Sequence, residues 1–383
     1  MGAPHPSSSA RRWLAACAWA ACAVAVLAGC AAGSERPKPA ELPPNPAAIK
    51  VQQVWSARLS PVDFPLQAQV RGGSVVLATG SGAVVTLDAA TGRQLARAEV
   101  GAPLAAGVGS DGTVSAVVTK ANEVVAVEAD RILWRRRLAS QSFTPPLVAG
   151  GRVFALGADR SLSALDGRTG RLLWTTPPQA DALVLRQNGL LMAVGNTLVA
   201  GLSGRLTGLD PDTGSTRWEA PVAAARGTND VERLVDLVGG VARQDSVVCA
   251  RAFQAAVGCV NAAGGTLLWS KPADGATGLA GDGALVFGAE ADGKVIAWNA
   301  ASGERVWLNE TLRWRDLTGP LVLGRSVVVG ESTGQLLLLA RADGKLLERV
   351  GTDSSGLAAA PVAAANTLVA VTRSGGVYGF QPE

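Results

Sequence analysis

The sequence predicts an all-β fold, an eight-bladed β-propeller with four-stranded antiparallel blades, closed by pairing of its N- and C-terminal strands. Three observations predict it. The first is a repeat. The stretch Asp166-Gly167-Arg168-Thr169-Gly170-Arg171-Leu172-Leu173-Trp174 recurs as Asp210 to Trp218, Asn261 to Trp269 and Asn299 to Trp307, with weaker copies at Asp88 to Ala96, Glu128 to Trp134 and Ala340 to Glu348. The copies fall ~40 residues apart, the length of one four-stranded propeller blade. The second is the pattern inside a unit. Arg152 to Leu156 is rich in strand formers, Ser161 to Leu165 alternates with period two, and Arg171 to Trp174 resumes after a Thr-Gly turn. The third is a remainder. After Glu348 only three strand-like segments follow, at Pro361-Val362, Thr367 to Thr372 and Val377 to Phe380, and the orphan stretch Val51 to Leu59 with Trp55 supplies the fourth. Closing the ring this way removes open sheet edges.

Each part of the repeat has a physical task. The Asp or Asn accepts backbone amides across the turn, the glycine takes positive φ, and the Trp offers a large apolar face to the neighbouring sheet.

In chain order, residues 1–29 read as a signal peptide. Arg11-Arg12 precede an apolar run from Trp13 that is shorter than the ~20 residues a membrane helix needs, and Leu27-Ala28-Gly29 lead into Cys30. This resembles the lipobox of bacterial lipoproteins, which implies cleavage before Cys30 and acylation of that residue. Ala31 stands where an aspartate would favour inner-membrane retention under the enterobacterial sorting rule. Residues 30–50 hold Pro37, Pro39, Pro43, Pro44 and Pro46. They read as an extended linker of ~50 to 60 Å that lets the body stand off the membrane. Residues 51–383 form the propeller.

The charge balance, 35 basic against 31 acidic residues with Arg11 and Arg12 leaving in the signal, has no basic run and argues against nucleic acid as a partner. The only histidine, His5, lies in the signal as well. This removes imidazole bases, Ser-His-Asp triads and His metal ligands from the mature chain. Asp-Gly clusters such as Gly281-Asp282-Gly283 lack calcium-loop spacing and read as turns. Cys249 and Cys259 flank a hairpin centred on Phe253-Gln254, where opposed strands would bring them within disulfide reach; two buried thiols remain the alternative.

The eight-fold Trp-bearing repeat resembles that of the pyrroloquinoline quinone dehydrogenases. Their cofactor lies under a disulfide of adjacent cysteines, with calcium and a catalytic aspartate below. Here the two cysteines are ten positions apart and the chain is much shorter, so the repeat stands without the site. No enzyme activity and no cofactor are expected.

Departures from the repeat mark candidate binding surfaces. The longest interval, Trp218 to Trp269, contains Ala225 to Leu237, a segment mixing charges with aliphatics. A second departure is Asp181-Ala182-Leu183-Val184-Leu185-Arg186-Gln187-Asn188, where Leu183, Leu185 and Arg186 would point from a blade's first strand towards the central funnel.

Lipobox, Pro-rich linker, eight repeats and the final stretch Val350 to Phe380 together resemble the BamB family, lipoproteins of the outer-membrane β-barrel assembly machine. Leu183-Val184-Leu185-Arg186 resembles that family's Leu-x-Leu-Arg patch, and Thr228 to Leu234 its following loop. The family's two aspartates spaced by one residue are here Asp236 and, in the other place, Val238. The resemblance implies a non-enzymatic scaffold lipid-anchored at Cys30 to the periplasmic side of the outer membrane. It also implies contact of Leu183, Leu185, Arg186 and Asp236 with the POTRA domains of BamA. Blade edges offer a further class of partner, the nascent strands of unfolded outer membrane proteins.

Overall fold

Among the described residues thirty-two strands arrange themselves as eight sheets of four, all antiparallel. The structure is a computed structural model that describes Gly2 and residues 37–179, 183–224 and 234–383. Cys30, Asp181-Ala182 and residues 225–233 lie outside the described residues. Ala40–Glu383 form one compact unit. Seven sheets are sequential meanders, blades 1 to 7, spanning 69–99, 109–137, 147–175, 191–221, 237–272, 279–309 and 321–351. Blade 8 takes its three inner strands from the C-terminus and its outermost strand, Val51–Arg58, from the N-terminal side. That strand runs antiparallel to Gly376–Pro382, from Val51 opposite Pro382 to Arg58 opposite Gly376. Among the described residues there is no helix, and so none long and apolar enough to cross a membrane.

The middle strands are buried on both faces, as in Val327, Val328 and Val329 of blade 7, so their runs are continuously apolar. The outermost strands turn a Trp inward and leave charged residues exposed.

The repeat turn works as a lock between neighbours. In blade 3 the Asp166 carboxylate accepts the amide and the hydroxyl of Thr169 at 2.9 and 2.8 Å, bonds that also hold it below the usual carboxylate range. The glycine that follows then receives the Trp of the preceding blade. Trp55, Trp134, Trp174, Trp218, Trp269 and Trp307 stand on Gly92, Gly170, Gly214, Gly265, Gly303 and Gly344. At Gly303, where φ is +70°, a Cβ would lie 2.6 Å from the Trp269 ring, so glycine is needed twice over. Most of these indoles also donate to a carbonyl of the same turn, as Trp55 does to Ala89 at 2.9 Å and Trp269 to Ala300 at 2.8 Å.

Where the Trp is missing, so is its receptor. Ala96 of blade 1 faces a blade whose last hairpin is only Ala129-Asp130, and Glu348 of blade 7 faces blade 8, whose outer strands are joined by no turn at all. The chain before blade 8 fills this second seam. Asn45 donates to the buried Glu348 carboxylate and accepts the Arg349 amide at 3.1 Å, while the Ala48 amide bonds Leu347 at 2.9 Å. Further back, Ala40 donates to the Arg313 carbonyl and accepts from the Arg315 guanidinium. The expected free linker is therefore corrected: from Ala40 onward it is bound along blade 7. Leu42 and Ile49 pack into the apolar clusters beneath. Proline keeps such a segment extended but does not decide whether it stands off or lies down.

Candidate functional site

In each blade the turn between the second and third strands and the crossover to the next blade lie on one face. The crossovers into blades 3, 4 and 5 and the inner turn of blade 3 meet there. Leu183, Leu185 and Arg186 belong to the crossover into blade 4, ahead of its first strand Leu191–Val194 and not on it, which corrects the expected placement. Leu183 is 44% exposed, Leu185 is half-buried and Arg186 is exposed. Together they make a ledge.

Asp236, in the crossover into blade 5, comes to this ledge from below. One of its carboxylate oxygens accepts from Arg160 Nη2 at 2.8 Å, and the other accepts the Leu185 amide at 3.2 Å. The same guanidinium nitrogen lies 3.4 Å from the Leu183 carbonyl. Side-chain exposures of 9% for Arg160 and 18% for Asp236 give this pair the character of a buried strut. Asp236 thus holds the backbone of the ledge.

Arg186 turns the other way, its guanidinium 5.2 Å from the centre of the Phe143 ring. An open groove of ≈610 Å³ continues from it past Phe143 and Gln141 towards Asn122, Lys120 and Asp63. Beyond the ledge the chain crosses the mouth of the central funnel. Gln187 donates to the Ala276 carbonyl at 3.0 Å and Asn188 to Leu66 at 3.1 Å, tying the crossover to blades 6 and 1. The ledge is therefore braced at both ends.

Arg160, Phe143, Gln187 and Asn188 were not singled out from sequence. Arg160 did carry a signal. It occupies, at φ 59°, the turn position that Gly82, Gly293, Gly334 and Gly375 fill in other blades. A side chain placed in the left-handed region costs ~1 kcal/mol or more and points to a task.

Cys249 and Cys259 face each other on the two middle strands of blade 5 and are joined as a disulfide, with Cα atoms 3.9 Å apart. Both are buried within the sheet, at 3% and 0% exposure, so the bond is a staple inside a blade. Among the described residues no group of three or more His, Cys, Asp or Glu is placed to hold a metal ion.

Fold and site together define a closed propeller of PQQ-like repeats that presents a braced, partly apolar ledge on its crossover face. The family model for the outer membrane protein assembly factor BamB matches residues 80–309. The chain is 37% identical over 369 residues to the outer membrane protein assembly factor BamB of Burkholderia pseudomallei, covering 94% of this chain and 97% of that protein. It is 32% identical to that of Bordetella pertussis, over 91% and 92% of the two chains. This chain belongs to the BamB family. The crystal structure of BamB from Moraxella catarrhalis superposes with a TM-score of 0.79 at 25% identity, covering 87% of this chain and 100% of that one. The quinohemoprotein alcohol dehydrogenase from Comamonas testosteroni superposes with a TM-score of 0.68 at 14% identity, over 89% and 78% of the chains, a likeness of fold alone.

Proposed function

We propose that this protein is a non-enzymatic scaffold lipoprotein of the outer-membrane β-barrel assembly machine. An acylated Cys30 would hold it on the periplasmic side of the outer membrane, and it would grip the POTRA domains of BamA and so aid assembly of outer membrane proteins. The observation that carries the reading is the ledge itself. Two aliphatics and an arginine stand on a backbone whose shape is set by the Arg160–Asp236 pair and by bonds to blades 1 and 6. Leu183 and Leu185 supply apolar area at the contact. Arg186 supplies a directional bond to a carboxylate. The Phe143 ring, 5.2 Å from the guanidinium, helps to aim that planar group while leaving its edge open.

Arg186→Glu tests this. The side chain is exposed, so folding is little affected, while a paired carboxylate on BamA would meet repulsion. Capture of BamA from solubilised membranes should weaken at least about tenfold, roughly 1.4 kcal/mol, with the melting temperature unchanged. Full capture by the variant would remove the ledge from the interface.

A further inference from the structure

Among the described residues Trp314 is the one exposed tryptophan, at 41%, while the Trp of the repeat are buried or half-buried. It sits in the crossover from blade 6 to blade 7 with φ at 62°, a conformation that is an outlier for a bulky side chain. The backbone is pinned there. Its amide donates to the Asp292 carbonyl at 2.8 Å, and the next carbonyl, of Arg315, accepts the Ser332 amide and hydroxyl at 3.2 and 3.0 Å. A strained, rigidly held turn thus spends its strain on presenting an indole outward.

The residues on either side of Trp314 are those that receive the chain coming from Cys30. The Arg313 carbonyl accepts the Ala40 amide at 2.9 Å, and the Arg315 guanidinium, anchored 3.4 Å from the buried Glu331 carboxylate, donates to the Ala40 carbonyl. Ala40 lies only ten positions after Cys30. Ten residues span at most ~35 Å even when fully extended. An acyl anchor at Cys30 therefore keeps the foot of the tether, and Trp314 with it, within that reach of the lipid.

We propose that Trp314 is a membrane-contact residue, seating its indole in the headgroup layer of the phospholipid surface to which Cys30 is anchored. Indole prefers this layer because one edge is apolar and the N–H can stay hydrated. Charge contributes little. Arg313 lies 3.2 Å from Asp292 and 4.0 Å from Glu310, Lys294 is paired with the same two carboxylates, and Arg373 lies 3.5 Å from Asp316. With these charges balanced, the contact takes neutral and anionic phospholipid alike and survives high salt.

The inference rests on the Cys30 anchor, and the test separates the two. The mature chain is reconstituted into vesicles of phosphatidylethanolamine and phosphatidylglycerol containing phospholipids brominated near the headgroup, and tryptophan emission is recorded. Quenching in the native protein and its loss in Trp314→Phe, at an unchanged melting temperature, is the expected result. If Cys30 proves unacylated, coupling its thiol to a maleimide phospholipid attaches the same chain, and the same quenching is read. Absence of quenching in the attached native protein, or equal quenching in Trp314→Phe, overturns the proposal.

Discussion

Arg160 donates to Asp236 at 2.8 Å, a bond that joins the inner turn of blade 3 to the entry of blade 5 and passes beneath the crossover into blade 4. The shape of the candidate contact surface is thus set by two residues that hardly reach solvent. This separates the side chains that would touch a partner from those that aim them.

Removing one member of that pair should act on both stability and binding. Asp236→Ala takes one carboxylate from the nearly buried Arg160 guanidinium and leaves the Leu185 amide without its acceptor, at a cost of about 1 to 3 kcal/mol in denaturant unfolding. Arg160→Gly should lower BamA capture similarly but cost less stability, because glycine relieves the positive φ. Native capture by Arg160→Gly would show that the strut does not shape the contact.

Two glycines with the same backbone angle test the blade lock. Gly303 and Gly101 both have φ of +70°, but a Cβ at Gly303 meets Trp269 whereas one at Gly101 meets nothing within 4 Å. Gly101→Ala should cost ~1 kcal/mol, the price of the conformation alone, and Gly303→Ala ~3 kcal/mol as the indole is displaced. Equal melting temperatures for the two would mean that the Trp stack contributes nothing to holding the blades together.

The Cys249–Cys259 staple crosses two strands that are already hydrogen-bonded, so its removal should weaken the fold without abolishing it. We expect the double variant Cys249→Ala, Cys259→Ala to lose ~2 kcal/mol in urea unfolding and to keep its far-ultraviolet spectrum. Alkylation of the unfolded, unreduced protein followed by mass analysis should leave both cysteines unlabelled, and label on either would refute the bond.

Asp353 contributes to stability against acid. Burial alone would raise its pKa, but hydrogen bonds from Ser355, Thr372 and Ser374 outweigh it and hold the carboxyl well below its usual range. A folded-state pKa below the unfolded one stabilises the fold above the unfolded value, near 3.8, and that contribution is lost as pH falls from there towards the folded value. Asp353→Asn should be less stable than the native protein at neutral pH and flatter in melting temperature below pH 4. Parallel pH curves for the two proteins would exclude this role.

The blade count and the closing strand were legible because both are written locally. A Trp, a Thr-Gly turn and a period-two run each follow from neighbours in sequence, and the three-strand remainder after Glu348 demands a partner. The weak copies were legible as positions but not as pairs, since the loss of Trp at Ala96 and Glu348 makes sense only once the adjoining blade is seen to lack the receiving turn. The ledge residues could be named from their pattern. Their support could not, because Asp236, itself named, finds its partner Arg160 76 positions away, and which crossover passes between them depends on the ring. Pro43, Pro44 and Pro46 foretold an extended chain, yet the bond between Asn45 and Glu348 needs a seam that exists only where blade 8 is assembled from both ends.

That assembly also fixes an order of events. The strand Val51–Arg58 is made before all seven uninterrupted blades, yet its hydrogen-bonding partner Gly376–Pro382 is made after them. Until that partner is made, the ring has no seal: the early strand waits with its edge unpaired, and Trp55 has Gly92 to stand on but no sheet behind it. A chain stopped anywhere short of Gly376 is therefore left with two open rims, each an unpaired strand edge of the kind that invites pairing with another chain.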